Sequence, residues 1–525
     1  MNHDRNAKPE VELEVSTTGL RASHVNSGTS VPREELPWPE VAGAVMRMPK
    51  LHAEVDARSK VTPYGGLLLF SDIVKRLGIA KLLDEHVHVF KIHLPYHESD
   101  HVLAQAMNLY VGGTCLEDMA ELQHSQAVLR LVGACRLPDP TTGGDFLRRL
   151  RDHDPSGLPG LRRANDEAQS QAWRKLARKG GGRRRKRKLA IVDLDGHVKP
   201  LYGVQKEGAD FFKGTWCYQP LVATLAQSGE CLGIRNQPGA VRASNGAPGL
   251  LDATLPRTRR HFTDVLVRGD SDFDRKDVRE ACERHRVYFA FVGREFPDRP
   301  GIAESIPESQ WKPFRTRAHR GRVEVSHRPG FERRRKKRNQ RKRRARQRNF
   351  TEKRLVKQWI AEVPWTPRDS SASVTYRLVI RRQLIENYQG QQLLFEEYRY
   401  RYIVTNLPTS MPTQDVVDST YERCDQENLI QQLGAGIAAW RMPVAEFDGN
   451  SAWLEIARLA WNIGKWIAQL ALPDEVVRWE WKRFRQAWVY LAAHVLRVSR
   501  QIRVRLAGSH PFARDLLRAH HVLQT

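Results

Sequence analysis

Two apolar, strand-like segments of this chain end in acids: KLAIVDLDG closes on Asp193 and Asp195, and VLVRGDSDF closes on Asp270 and Asp272. The period-two spacing of an extended strand sets Asp193 and Asp195 on one face, after Leu189 and Ile191. Carboxylates gathered from neighbouring strand ends can hold a divalent ion, because Mg2+ takes hard oxygen ligands and keeps positions open for water and phosphate. Two such ions would serve phosphoryl transfer, activating a nucleophile and stabilising the leaving oxygen. The competing reading is structural, since strand-end acids also cap helices, and Arg268 and Lys199 are near enough in sequence to pair with them. A third segment, TYERCDQENLIQQL, has helical spacing that sets Arg423 and Glu427 four apart on one face and Ile430, Leu433 and Ile437 on another.

The elements that must position these acids follow from periodicity. LAIVDLD is a strand, and YQPLVATLAQSGECLGIRN is a hairpin turning at Gln227, Ser228 and Gly229. DVLVRGDSDF and VYFAFVG are further strands, with helical stretches between Leu250 and Leu255 and from Arg275 to Arg286. This order predicts an α/β fold with a ribonuclease-H-like mixed sheet, its first three strands antiparallel and its later ones joined by helical crossovers. The sequence is expected to divide into a flexible leader over 1–55, an all-helical domain over 56–170 and the first part of the α/β core over 171–293. A β-rich insertion with a basic loop follows over 294–408, then the rest of the core with the Glu427 helix over 409–470 and a helical C-terminal region over 471–525. Trp453, Ile456, Ala460, Ile463 and Ile467 make one apolar helical face, which is read as packing.

Composition narrows the function. The 525 residues are 40% hydrophobic, no run has the length of a membrane span, and the polar opening lacks the apolar stretch of a signal peptide. Six cysteines without CxxC spacing argue against a disulfide framework or a structural zinc site. The expectation is a soluble intracellular protein. The net charge of +26 is concentrated: 22 of the 86 basic residues lie in 174–188 and 333–348, leaving 64 against 60 acids elsewhere. Such runs repel themselves and suit a polyanionic partner such as DNA. Arg183, Arg184, Arg185, Lys186, Arg187 and Lys188 in the first run, and Arg333, Arg334, Arg335, Lys336, Lys337 and Arg338 in the second, are the candidate phosphate contacts. Separately, His86, His88, His93, His97 and His101 fall close together, but with no cysteine ligands nearby a zinc site is the less expected reading.

In order and spacing, VDLDG, YGVQKEGADFFKG, RGDSDF and the run from Tyr421 through Arg423 to Glu427-Asn-Leu-Ile resemble the DDE transposases of bacterial insertion sequences, in the group marked by a Tyr, Arg, Glu, Lys signature. The resemblance runs from about Thr62 to Val504. It implies Asp195, Asp270 and Glu427 as catalytic residues and ligands of two Mg2+ ions, with Mn2+ able to substitute. Asp193 and Asp272 are their nearest rivals. Arg423 and Tyr421 would contact DNA. The implied enzyme binds the terminal inverted repeats of its element as a homodimer on double-stranded DNA, and cleaves and joins strands by cut and paste. Its place would be the bacterial cytoplasm, associated with the nucleoid and not with a membrane. The chain departs from the signature in three ways: Tyr421 is two residues before Arg423 where three is usual, Gly434 stands where Lys is usual, and His197 stands where Thr is frequent. The missing Lys supports an alternative, a catalytically inactive transposase-derived DNA-binding protein.

Overall fold

The computed structural model describes residues 59–93, 95–179, 187–315, 352–368, 374–389, 397–499 and 501–525, with positions 53 and 56. Positions 183–186 and 333–338 of the basic runs, and 1–50 of the expected leader, lie outside the described residues. The chain divides into two compact units, Met1–Val55 and Asp56–Thr525, and the described helices and strands all belong to the second.

A short strand, β1 (Val61–Thr62), precedes α1 (Leu67–Arg76), α2 (Ile79–His86), α3 (Glu98–Val111), α4 (Met119–His124), α5 (Gln126–Val132), α6 (Pro140–Arg149) and α7 (Leu158–Leu176). Local chemistry sets several of these ends. Asp139 accepts the Thr142 amide at 2.9 Å ahead of Pro140, a helix start that needs no proline N–H.

The chain then forms β2 (Arg187–Gly196), β3 (Lys199–Pro200), β4 (Asp210–Phe212), β5 (Thr215–Tyr218), β6 (Leu221–Leu225) and β7 (Glu230–Arg235). Next come α8 (Ala247–His261), β8 (Phe262–Gly269), α9 (Lys276–Arg284), β9 (Tyr288–Gly293), α10 (Asp298–Glu304) and β10 (Lys312–Pro313). The long strands β11 (Glu352–Trp365), β12 (Tyr376–Gln389) and β13 (Glu397–Thr405) lead to α11 (Thr413–Tyr421), α12 (Asp425–Ile437) and α13 (Phe447–Ala471). The chain ends with α14 (Trp481–Trp488), β14 (Ala493–Val498), β15 (Gln501–Leu506) and α15 (Ala513–Gln524).

Nine strands make one sheet in the order β10-β11-β12-β13-β9-β8-β2-β6-β7. β2, β8 and β9 are parallel neighbours, while β6 runs antiparallel beside β2 and β7 antiparallel beside β6, the antiparallel trio the sequence order predicted. Alternation divides the side chains between two faces. Ala190, Val192, Leu194, Val265, Val267, Phe289 and Phe291 enter one core with Leu251 and Leu255 of α8 and Val278 of α9. On the other face Leu266, Ala290 and Ile403 pack with Val416 and Val417 of α11, and Val222, Cys231 and Ile234 join the core that contains α12 and α13. Asp193 and Asp195 therefore face the α11 and α12 side.

α13 is buried on nearly every side, with Trp453, Trp461 and Trp466 at most 1% exposed, so the tryptophans do pack as expected. Polar pins fix it in register. Glu230, at the start of β7, accepts the indole N–H of Trp173 at 3.0 Å and of Trp466 at 2.8 Å. Arg458 donates to Asp166 of α7 at 2.5 Å.

Three expected segments differ in the structure. The β-rich segment 294–408 is no separate layer: β13 pairs with β9 and extends the core sheet. The helices of 56–170 do not enclose a core of their own; Leu69, Ile73, Leu109 and Tyr110 share one with Trp453, Trp481 and Leu516, because the faces of short amphipathic helices are covered by α13 to α15. The C-terminal region is not all helical. β14 and β15 form a hairpin that adds to β1, and the alternation of AHVLRV and QIRVRL, visible in the sequence, decides against a helix there.

Candidate active site

Because β2 and β8 are parallel neighbours, the acids that close them meet at one end of the sheet. Asp195 is the penultimate residue of β2, and Asp270 follows β8 directly. Both line a cavity of about 310 Å³, with Asp272, His197, Lys213 and Arg242 among its walls. A Cβ at Gly196 would overlap the methyl of Ala243, so the Asp-Gly pair also lets the strand end approach the turn beneath the cavity.

The two acids of β2 have different partners. Asp193 is buried and clamped by Arg268, its register partner on β8, through hydrogen bonds of 2.6 and 2.8 Å. Asp195 is in the cavity, with one oxygen accepting the Gly196 amide at 2.9 Å and the other 3.8 Å from the Arg423 guanidinium. After β8 the acids divide again. Asp270 accepts the Asp272 amide at 2.9 Å, Asp272 is exposed 3.5 Å from Arg294, and Asp274 is buried against Arg279 and Arg299 at 2.6 and 2.8 Å.

Glu427 is exposed in the first turn of α12. Its neighbour Gln426 is buried and accepts the Thr224 hydroxyl of β6, which fixes this helix start against the sheet. Burial lifts the Asp195 carboxyl to about 6; Arg423 opposes the rise, and the charges of Asp270 and Glu427 add to it. The three acids and Arg423 thus share one electrostatic environment. Among the described residues the three acids do not form a set whose oxygens all lie within 4.8 Å of one another.

The continuous helix expected through Arg423 and Glu427 is broken. α11 ends at Tyr421, a 3-10 turn spans Glu422–Cys424, and α12 begins at Asp425. Thr420, whose hydroxyl donates to the Val416 carbonyl at 2.7 Å, is the kind of residue that bends a helix. The Tyr421 ring lies under Arg381 of β12, 5.1 Å from ring centroid to guanidinium.

The model of the family Transposase DDE domain group 1 matches residues 45–525 of this chain. The chain belongs to the DDE transposases. This is a family of nuclease and strand-transfer enzymes that generally use divalent metal ions. Seven solved chains resemble the transposase, including a piggyBac transposase in a synaptic complex with hairpin DNA, at TM-score 0.37 and 10% identity over 82% of each chain. No curated protein matches it significantly. Among its described residues no helix is long and apolar enough to cross a membrane.

At Gly434, where the sequence resemblance implies a lysine, the space beside the backbone is taken in this transposase by an indole. A Cβ at Gly434 would run into Trp440, whose N–H donates to the Ile430 carbonyl at 3.1 Å and whose ring lies 4.8 Å from that of His197. Ala438 and Met442, on either side of Trp440, have φ of 51° and 52°, a strained conformation for residues with side chains. The same turn carries exposed Arg441, whose charge, after burial, helps lower the pKa of Lys199 on β3.

Motif reading missed the basic wall residues Lys213 and Arg242. Lys213 had a signal, because its φ of 47° and that of Gly214 at 85° form the tight turn between β4 and β5 that the FFKG run suits. Arg242 had none. Of the basic runs, Lys188 is exposed at the start of β2, and the side chain of Arg187 lies outside the described residues.

Proposed function

We propose that this transposase binds the terminal inverted repeats of its element, cleaves DNA there and joins the freed end to target DNA, with Asp195, Asp270 and Glu427 as its catalytic residues. The observation that carries the reading is the meeting of Asp195 and Asp270 in one cavity at the ends of adjacent parallel strands, within the field of Glu427. The strand order β9-β8-β2-β6-β7, with the first three parallel, supports a ribonuclease-H-like core. A bacterial insertion sequence as source, a nucleoid location and a dimer on DNA belong to the same reading.

The donor set fits divalent ions: three hard carboxylates, with Asp195 raised first by burial and further by the charges of Asp270 and Glu427, and Arg423 as the nearby countercharge. Mg2+ or Mn2+ held by these residues would supply an activated nucleophile and a stabilised leaving oxygen. Arg423 keeps Asp195 oriented, Gln426 fixes the height of Glu427 over the sheet, and Arg268 keeps Asp193 from competing as a ligand. Lys213, Arg242, Lys199 and Arg441 are the basic side chains that would receive DNA phosphates.

The test is single-turnover cleavage of a labelled duplex carrying the element's end, with Mg2+ or Mn2+, by the wild type, Glu427→Gln and Asp270→Asn. Metal-dependent cutting that both variants lose while still binding the end supports the reading. Gly434 favours a second reading, an inactive DNA-binding protein. Tight end binding without cutting by the wild type would establish that one instead.

A further inference from the structure

The five clustered histidines separate in the fold. His86 lies 3.0 Å from Glu167, His88 meets the Glu85 carbonyl at 3.2 Å, and His101 is buried with its ring stacked 4.7 Å from Phe146. His93 and His97 stay together at the surface, rings 4.9 Å apart and within 9° of parallel. With Glu98 they form the one group of three among the described residues whose ligand atoms all lie within 4.8 Å of one another.

Glu98 is what makes this a built site. It is 1% exposed, and one of its oxygens accepts the amides of Val89 and Phe90, both at 3.0 Å. The other oxygen faces His93 Nδ1 at 3.1 Å. Two amides fix the carboxylate without neutralising it, and an imidazole offers it positive charge only when protonated. A buried carboxylate with two imidazoles gathered beside it is an arrangement that a cation completes.

We propose that His93, His97 and Glu98 bind a divalent transition-metal ion, zinc in preference, with water filling the remaining position. Two imidazoles and a carboxylate are a zinc ligand set, and nitrogen donors select zinc-like ions over Mg2+. The Asp195 cavity offers acids and so selects the opposite way. The ion would join the loop after α2 to the first turn of α3. The site does not depend on the proposed function.

The experiment uses the full-length protein, stripped with a chelator and then dialysed against Zn2+ in excess Mg2+ that keeps the acidic cavity filled. Metal content, zinc affinity and melting temperature are read. The wild type should retain one zinc per chain and melt higher with it, and Asp270→Asn should do the same. His97→Gln should bind zinc about tenfold or more weakly, since loss of an outer-shell partner alone costs that much. Should His97→Gln fail to fold, because His97 opens α3, His93→Gln in the exposed loop should show the same loss. Zinc bound equally by the histidine variants, zinc lost from Asp270→Asn instead, or none retained by the wild type would each overturn the proposal.

Discussion

Arg268 and Asp193 face each other in register on adjacent parallel strands, joined by two hydrogen bonds of 2.6 and 2.8 Å with both side chains at most 4% exposed. A third donor of Arg268 reaches the Ser419 carbonyl at 2.5 Å, so the pair also ties the end of α11 to the sheet. Asp195, two residues on, accepts the Gly196 amide at 2.9 Å and lies 3.8 Å from the Arg423 guanidinium, with no such clamp among the described residues.

Arg268→Met should therefore destabilise the protein by about 3–5 kcal/mol, because it leaves a buried carboxylate without its partner. Asp195→Asn should leave the fold intact and abolish cleavage. Chemical denaturation of both variants separates the two acids, and an Arg268→Met protein as stable as the wild type would remove Asp193 from its structural role.

The contribution of Asp195 to the stability of metal-free protein should fall as pH rises from about 4 to about 6. The folded-state pKa of Asp195 is raised from 3.8 to about 6, first by burial, so between those values the native state binds more protons than the unfolded state. The group's favourable contribution is complete below the lower value and gone above the upper one. The difference between wild-type and Asp195→Asn melting curves in chelator should shift over this range by at most about 3 kcal/mol, because the variant keeps opposing groups such as buried His101 and lacks only the Asp195 carboxylate. Metal binding, which needs the carboxylate ionised, should weaken over the same interval on acidification.

A lysine at position 434 should not raise cleavage. Gly434→Lys would drive a side chain into Trp440 and cost about 1–3 kcal/mol by overpacking. Cleavage should fall rather than rise. Lys199→Ala combined with Arg441→Ala should instead keep stability near that of the wild type while weakening DNA binding and reducing the log–log salt slope by about 1 for each phosphate no longer neutralised. An unchanged salt slope would place these two cations away from the DNA.

Deleting 333–348, with its twelve basic residues and no acid, should weaken binding to all duplexes alike. The log–log salt plot should become shallower, and the preference for the element's end over random DNA should persist. A selective loss of end binding would mean that the run reads sequence.

Several elements were legible because their signals are local. The acids closing two apolar strands, the hairpin at Gly229 and the crossovers through α8 and α9 follow from alternation, turn chemistry and strand order. The break after Tyr421 was not legible, since the spacing from Arg423 to Ile437 fits an unbroken helix equally well. Nor was the company of Gly434, because the indole that fills its space comes from the following turn.

The sequence by itself determined the class of this protein, a mixed α/β chain with paired strand-end acids, two basic runs and the motif order of a DDE transposase, because periodicity and motif spacing are properties of neighbours along the chain. Only the tertiary structure gave Asp193 and Asp195 different partners, joined β13 to the core sheet, and drew His93, His97 and Glu98 out of a row of histidines. Those outcomes depend on which distant atoms compete for the same space and the same charge: Arg268 reached Asp193 and left Asp195 open to the cavity, and no spacing between the two acids contains that information.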